Sequence, residues 1–95
     1  MSVTVVGGDN LGGIAKNLYA LGVTELIHIS GRKAAAKKVK FSSSTAFVLV
    51  LTDYVNHNTA QNVKTVAKAQ MIPVIYAKRS WRFVEEKLLA SSLIS

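Results

Sequence analysis

The chain has no cysteine, so it has no disulfide framework and no thiol chemistry, a usage that fits the cytoplasm. Proline occurs once, at Pro73, heading a short apolar run where a missing N–H is tolerated. No long hydrophobic run is present. The longest, over residues 46–51, is far too short to span a membrane. The first residues lack the basic region of a secretory signal, so none is expected. Aromatics are few and scattered (Tyr19, Phe41, Phe47, Tyr54, Tyr76, Trp81, Phe83), which argues against a base-stacking platform for single-stranded nucleic acid. Acidic residues are also scarce, 5 against 12 Lys plus Arg.

What is present is a basic protein of 95 residues, 49% hydrophobic, enough for one core and a single α/β domain over 1–95. The net charge is +7, and the excess is concentrated. Residues 31–40 alone carry +5, from Arg32, Lys33, Lys37, Lys38 and Lys40. Such a segment suits a polyanionic partner.

Apolar runs and helical stripes alternate along the chain. Residues 2–6, 25–30, 46–52 and 73–77 have the composition of strands. Residues 10–21 place Leu11, Ile14, Leu18 and Leu21 on one helical stripe, with Gly22 as a stop. Residues 56–69 repeat the pattern with Ala60, Val63 and Ala67, and residues 80–93 with Trp81, Val84 and Leu88. A short basic helix is expected over 31–40. Strands alternating with helices require crossovers, hence a parallel sheet. The expected architecture is a three-layer, flavodoxin- or Rossmann-like sandwich with four parallel strands in the order 2-1-3-4. Surplus apolar residues near the end (Phe83, Leu89, Leu93, Ile94) point to a homodimer.

In such a sheet, ligands bind beyond the carboxyl ends of the strands. Three polar stretches fall there. The first is VVGGDNLGG, with Gly7, Gly8, Asp9 and Asn10. It has the glycine spacing of a P-loop, but Gly13 and Ile14 stand where the lysine and hydroxyl are required. What remains is a turn with backbone N–H groups at a helix start, capped by Asp9 or Asn10, and suited to a phosphate or carboxylate. The second stretch, TDYVNHNT, contains Asp53, Asn56 and His57. Asp53 and His57 are an acid–base pair in principle. No nucleophile and no metal-ligand spacing accompany them, so the expectation is a non-enzymatic protein without cofactor or metal. The third, YAKRS, brings Lys78, Arg79 and Ser80 to the same edge, with Ser80 capping the last helix. Lys33, Lys37 and Lys40, with Lys64, Lys68 and Arg82, would contact phosphates by charge alone.

The ordered series Gly7–Gly8, His28 with Gly31, Asp53-x-Val55-x-His57, Lys64 with Lys68, Pro73, and Arg79–Ser80 resembles an uncharacterised bacterial family, the domain of unknown function numbered two-three-two-five. The resemblance spans roughly residues 3–90 and implies a compact α/β fold and little about activity. Some relatives carry a cysteine in the helix before the last strand; this chain has none.

Charge and motifs together lead to the expectation of a small basic nucleic-acid-binding dimer, DNA before RNA. The alternative is a nucleotide or phosphometabolite sensor built on the glycine loop and the Asp53/His57 edge. An enzyme resting on Asp53 and His57, and a module meeting an acidic protein, are the remaining readings.

Overall fold

The computed structural model describes residues 1–30 and 40–94. The expected basic helix, with Arg32, Lys33, Lys37 and Lys38, lies outside the described residues. Four parallel strands form one sheet in the order β2-β1-β3-β4: β1 (Ser2–Val6), β2 (Glu25–Ile29), β3 (Thr45–Leu51) and β4 (Val74–Ala77). Among the described residues three helices connect or follow them: α1 (Gly13–Ala20), α2 (His57–Ala69) and α3 (Trp81–Ala90).

The two central strands are the buried ones. Every residue of β1 is buried, and all of β3 except half-buried Ala46. Alternate side chains enter opposite layers. Val3 and Val5 of β1 join Phe47, Leu49 and Leu51 of β3 in a core closed by Leu18 of α1 and by Val84 and Leu88 of α3. Val6, Val48 and Val50 face the other way, against Val63 and Ala67 of α2 and against Phe41 and Ile72. This gives three layers, with α1 and α3 on one face and α2 on the other. Truncating a central contact such as Leu49 to alanine would cost about 2–5 kcal/mol.

All three helices stop in the same way. Val23 N–H reaches Leu18 O, Ile72 N–H reaches Ala67 O and Leu93 N–H reaches Leu88 O. The residue before each donor has positive φ: Gly22 at 104°, Met71 at 59° and Ser92 at 58°. Each is the left-handed turn that closes a helix by satisfying its last carbonyls.

The element boundaries differ from the sequence reading for local reasons. α1 begins at Gly13, later than residue 10, because Gly12 takes φ 53° and ψ −130° and no helix passes through that conformation. Leu11 is buried ahead of the helix rather than within it. α3 ends at Ala90 rather than residue 93, since Ser92 reverses the chain. Leu93 and Ile94 then fold back onto the first core, leaving Phe83 and Leu89 as the outward apolar residues of α3.

Candidate functional site

The carboxyl ends of β1, β3 and β4 open at one edge of the sheet, and their loops are bonded to one another there. Gly7 N–H donates to Ile29 O at 2.9 Å, and Gly8 N–H to Tyr54 O at 2.8 Å. Glycine is required at Gly7: φ is 116°, and a Cβ would lie 3.0 Å from Leu51 O. His28, at the end of β2, donates through Nε2 to Gly7 O at 2.9 Å, which fixes the tautomer with a proton on Nε2. Asp9 lies beside Ser30, whose Oγ is 3.4 Å from its carboxylate.

These bonds correct one expectation. The N–H groups of Gly7 and Gly8 serve the loop's own fold and are not offered to an anion. Neither Asp9 nor Asn10 caps α1 through its side chain. The N-cap is Gly12, and Asn10 Oδ1 instead accepts Gly12 N–H at 2.8 Å, ahead of the helix. Ser80 occupies the N-cap position of α3, but its hydroxyl makes no capping bond.

Arg79 is the element that ties the edge together. Its main-chain N–H donates to Asp53 Oδ1 at 2.9 Å. Its guanidinium donates through Nε to Asn10 O at 2.9 Å, and through Nη2 to the same oxygen. The guanidinium carbon stands 5.7 Å from the centre of the Tyr54 ring, within cation–π range. The side chain therefore crosses the glycine loop, 3.6 Å from where a Gly8 Cβ would lie. The bond to Asn10 leaves the other guanidinium N–H groups for a further acceptor.

Beside Arg79 is an open cleft of about 290 Å³, lined by Leu11, Gly12, Gly13, Ile14, Ser80 and Trp81. It lies between the first turns of α1 and α3. Each helix start carries about half a positive charge, although at α1 the N–H groups of Gly12 and Ile14 are already bonded, to Asn10 Oδ1 and Leu11 O. Neither α1 nor α3 has an acidic residue in its first turn or a side-chain cap. A guanidinium placed between two such ends concentrates positive potential that an anion relieves.

The expected site residues divide across the sheet. Gly8, Asn10, Asp53, Arg79 and Ser80 belong to the Arg79 cluster. Asn56 and His57 open α2 on the opposite face, where Asn56 Oδ1 caps Asn58 N–H at 2.8 Å and His57 is exposed. Asp53 is committed to the Arg79 main chain. Lys78 Nζ lies 5.7 Å from the Phe83 ring centre, and Arg82 is exposed on the first turn of α3. Lys40 is exposed, while Lys64 and Lys68 line a separate groove along β4. Among the described residues no three His, Cys, Asp or Glu side chains gather to hold a metal ion, and no helix is long and apolar enough to cross a membrane.

Sequence reasoning missed Tyr54, which supplies both a carbonyl for Gly8 and a ring for Arg79, and Trp81, a wall of the cleft. Both adjoin residues already singled out, and their adjacency was the available signal. No curated protein and no solved structure matches the chain. A family model described as an uncharacterized protein conserved in bacteria (DUF2325) matches residues 2–90.

Proposed function

The chain belongs to the DUF2325 family of bacterial proteins, and we propose that it binds nucleic acid, DNA in the first instance, through phosphate contacts and without catalysis. One observation carries this reading: the Arg79 guanidinium sits between the uncapped starts of α1 and α3. A phosphate in that cleft would accept from Arg79 and from helix N–H groups together. The rest of the strand would follow Lys78 and Arg82, with Arg32, Lys33, Lys37, Lys38 and Lys40 extending the contact. Five carboxylates cannot neutralise twelve cations, so much of the positive charge is available to a polyanion. The protein acts in the cytoplasm as a dimer in this reading, with Phe83 and Leu89 on the outer face of α3 supplying the contact.

Trp81 favours a second reading. Its half-buried ring, with Leu11 and Ile14, gives the cleft an apolar wall on which a single base would rest. A mononucleotide sensor would use the same phosphate position.

Fluorescence anisotropy of a labelled duplex over a salt series separates them. Backbone binding predicts that log affinity falls against log salt by about 0.9 for each phosphate neutralised. A flat profile, or retention by free mononucleotide alone, contradicts the leading reading.

A further inference from the structure

A second feature lies away from the Arg79 cleft. Between α2 and the free edge of β4 runs a groove of about 500 Å³. Its floor is apolar, made by Met71, Ile72, Pro73, Val74 and Tyr76, and its rim carries Lys64 and Lys68. We propose that this edge receives an extended acidic peptide segment, which adds to the sheet as a further strand.

The backbone supplies the first reason. Among the described residues β4 is the last strand of the sheet, paired only with β3. Val48 N–H donates to Pro73 O, and Thr52 N–H donates to Ala77 O. Main-chain groups alternate sides along a strand, so residues 73, 75 and 77 face β3. Val74 and Tyr76 therefore direct their N–H and C=O groups away from the sheet. These are the groups that an added strand pairs with.

Side chains supply the second. Met71 is 90% exposed and Tyr76 39%, next to buried Ile72. An extended segment pairing with Val74 and Tyr76 would lay alternate side chains into this apolar floor.

Charge selects the occupant. The lining holds two lysines and no acid, and Lys78 follows the strand directly. A second copy pairing edge to edge would bring its own Lys64, Lys68 and Lys78 against these, and like charges oppose it. Lysines at an edge guard against self-pairing; the same lysines attract a strand flanked by Asp or Glu. A nucleic-acid backbone matches the rim but not the apolar floor.

The test pans a random library of short displayed peptides on the full chain, then measures the recovered sequences as synthetic peptides by calorimetry and amide NMR. The expected binders alternate apolar residues with Asp or Glu, and perturb the amides of Val74 and Tyr76. Lys64→Glu combined with Lys68→Glu is expected to weaken binding about tenfold, since it reverses both charges on the rim. Val74→Pro, which removes an outward N–H without touching the β3 ladder, should weaken it as well. Circular dichroism confirms that each variant is folded. Arg79→Ala should leave peptide binding unchanged, so failure here is distinguishable from failure of the phosphate reading. The proposal is overturned by recovery of no binder, by binders lacking acids, by affinity indifferent to the charge reversal, by an oligonucleotide that perturbs the same amides, or by self-association that Val74→Pro abolishes.

Discussion

The Arg79 guanidinium bonds the main-chain carbonyl of Asn10, 69 residues earlier in the chain. That contact joins the loop after β1 to the loop after β4, while the Arg79 N–H holds Asp53 from the loop after β3. Three chain segments distant in sequence thus meet at one residue, through its main chain and its side chain. The convergence follows from topology: with the order β2-β1-β3-β4 and all strands parallel, the three tips must open at the same edge.

The glycine loop should be least tolerant at Gly7. Gly7→Ala meets Leu51 O at 3.0 Å and must also hold φ at 116°. Strain of this kind costs about 1–3 kcal/mol before the clash is counted. Gly22 has a comparable φ of 104° but open space around it, so Gly22→Ala should lose about 1 kcal/mol. Urea denaturation of both variants checks the ranking; equal losses would show that conformation alone governs both positions.

Met71 offers the opposite change. It is a non-glycine residue in the left-handed turn that ends α2, at φ 59° and 90% exposed. Met71→Gly relieves that strain at the cost of a more flexible unfolded chain, with an expected net gain of about 0.5 kcal/mol. A rise in Tm of a few degrees in calorimetry is the predicted result.

Gln70 anchors the chain as it enters β3. Its Oε1 accepts Phe41 N–H at 3.2 Å, and its Nε2 donates to Phe41 O at 2.8 Å. Phe41 is buried, so Gln70→Ala strands two main-chain groups beside the α2 core. A loss of about 1–3 kcal/mol is expected, and Gln70→Glu should lose nearly as much because it cannot donate to a carbonyl. Denaturation of the pair at neutral pH checks this.

The strands were legible because burial dictates composition: an unbroken apolar run over residues 46–51 suits a strand covered on both faces. The glycine turn after β1 and the stop at Gly22 were legible because few residues other than glycine hold positive φ. The end of α2 at Ala69 was legible too, but that of α3 was not, because Ser92 occupies a left-handed position that composition does not announce. The glycine loop was placed correctly, but its N–H groups were assigned wrongly. Which carbonyl a main-chain N–H finds depends on strand order and register, and Tyr54 O and Ile29 O bear no mark in the sequence. Arg79 was identified as a charge at the right edge. Its partner is a backbone oxygen, which side-chain patterns cannot reveal.

Removing Arg79 should lower stability without abolishing the fold. Arg79→Ala deletes a charged donor to Asn10 O on a partly exposed side chain, with an expected loss of about 1 kcal/mol and a Tm lower by about 4–8 °C. The fold should survive, since the cores on both sheet faces are untouched.

The central claim is that the cleft between α1 and α3 holds a phosphate, and amide NMR of the full chain titrated with a short DNA duplex tests it most directly. The account predicts saturable shifts at the amides of Gly12, Gly13 and Trp81 and at Arg79 Nε, lost in Arg79→Ala while the spectrum stays dispersed. Signals at those four positions that remain still while the duplex binds elsewhere, or no binding at low salt, would contradict it.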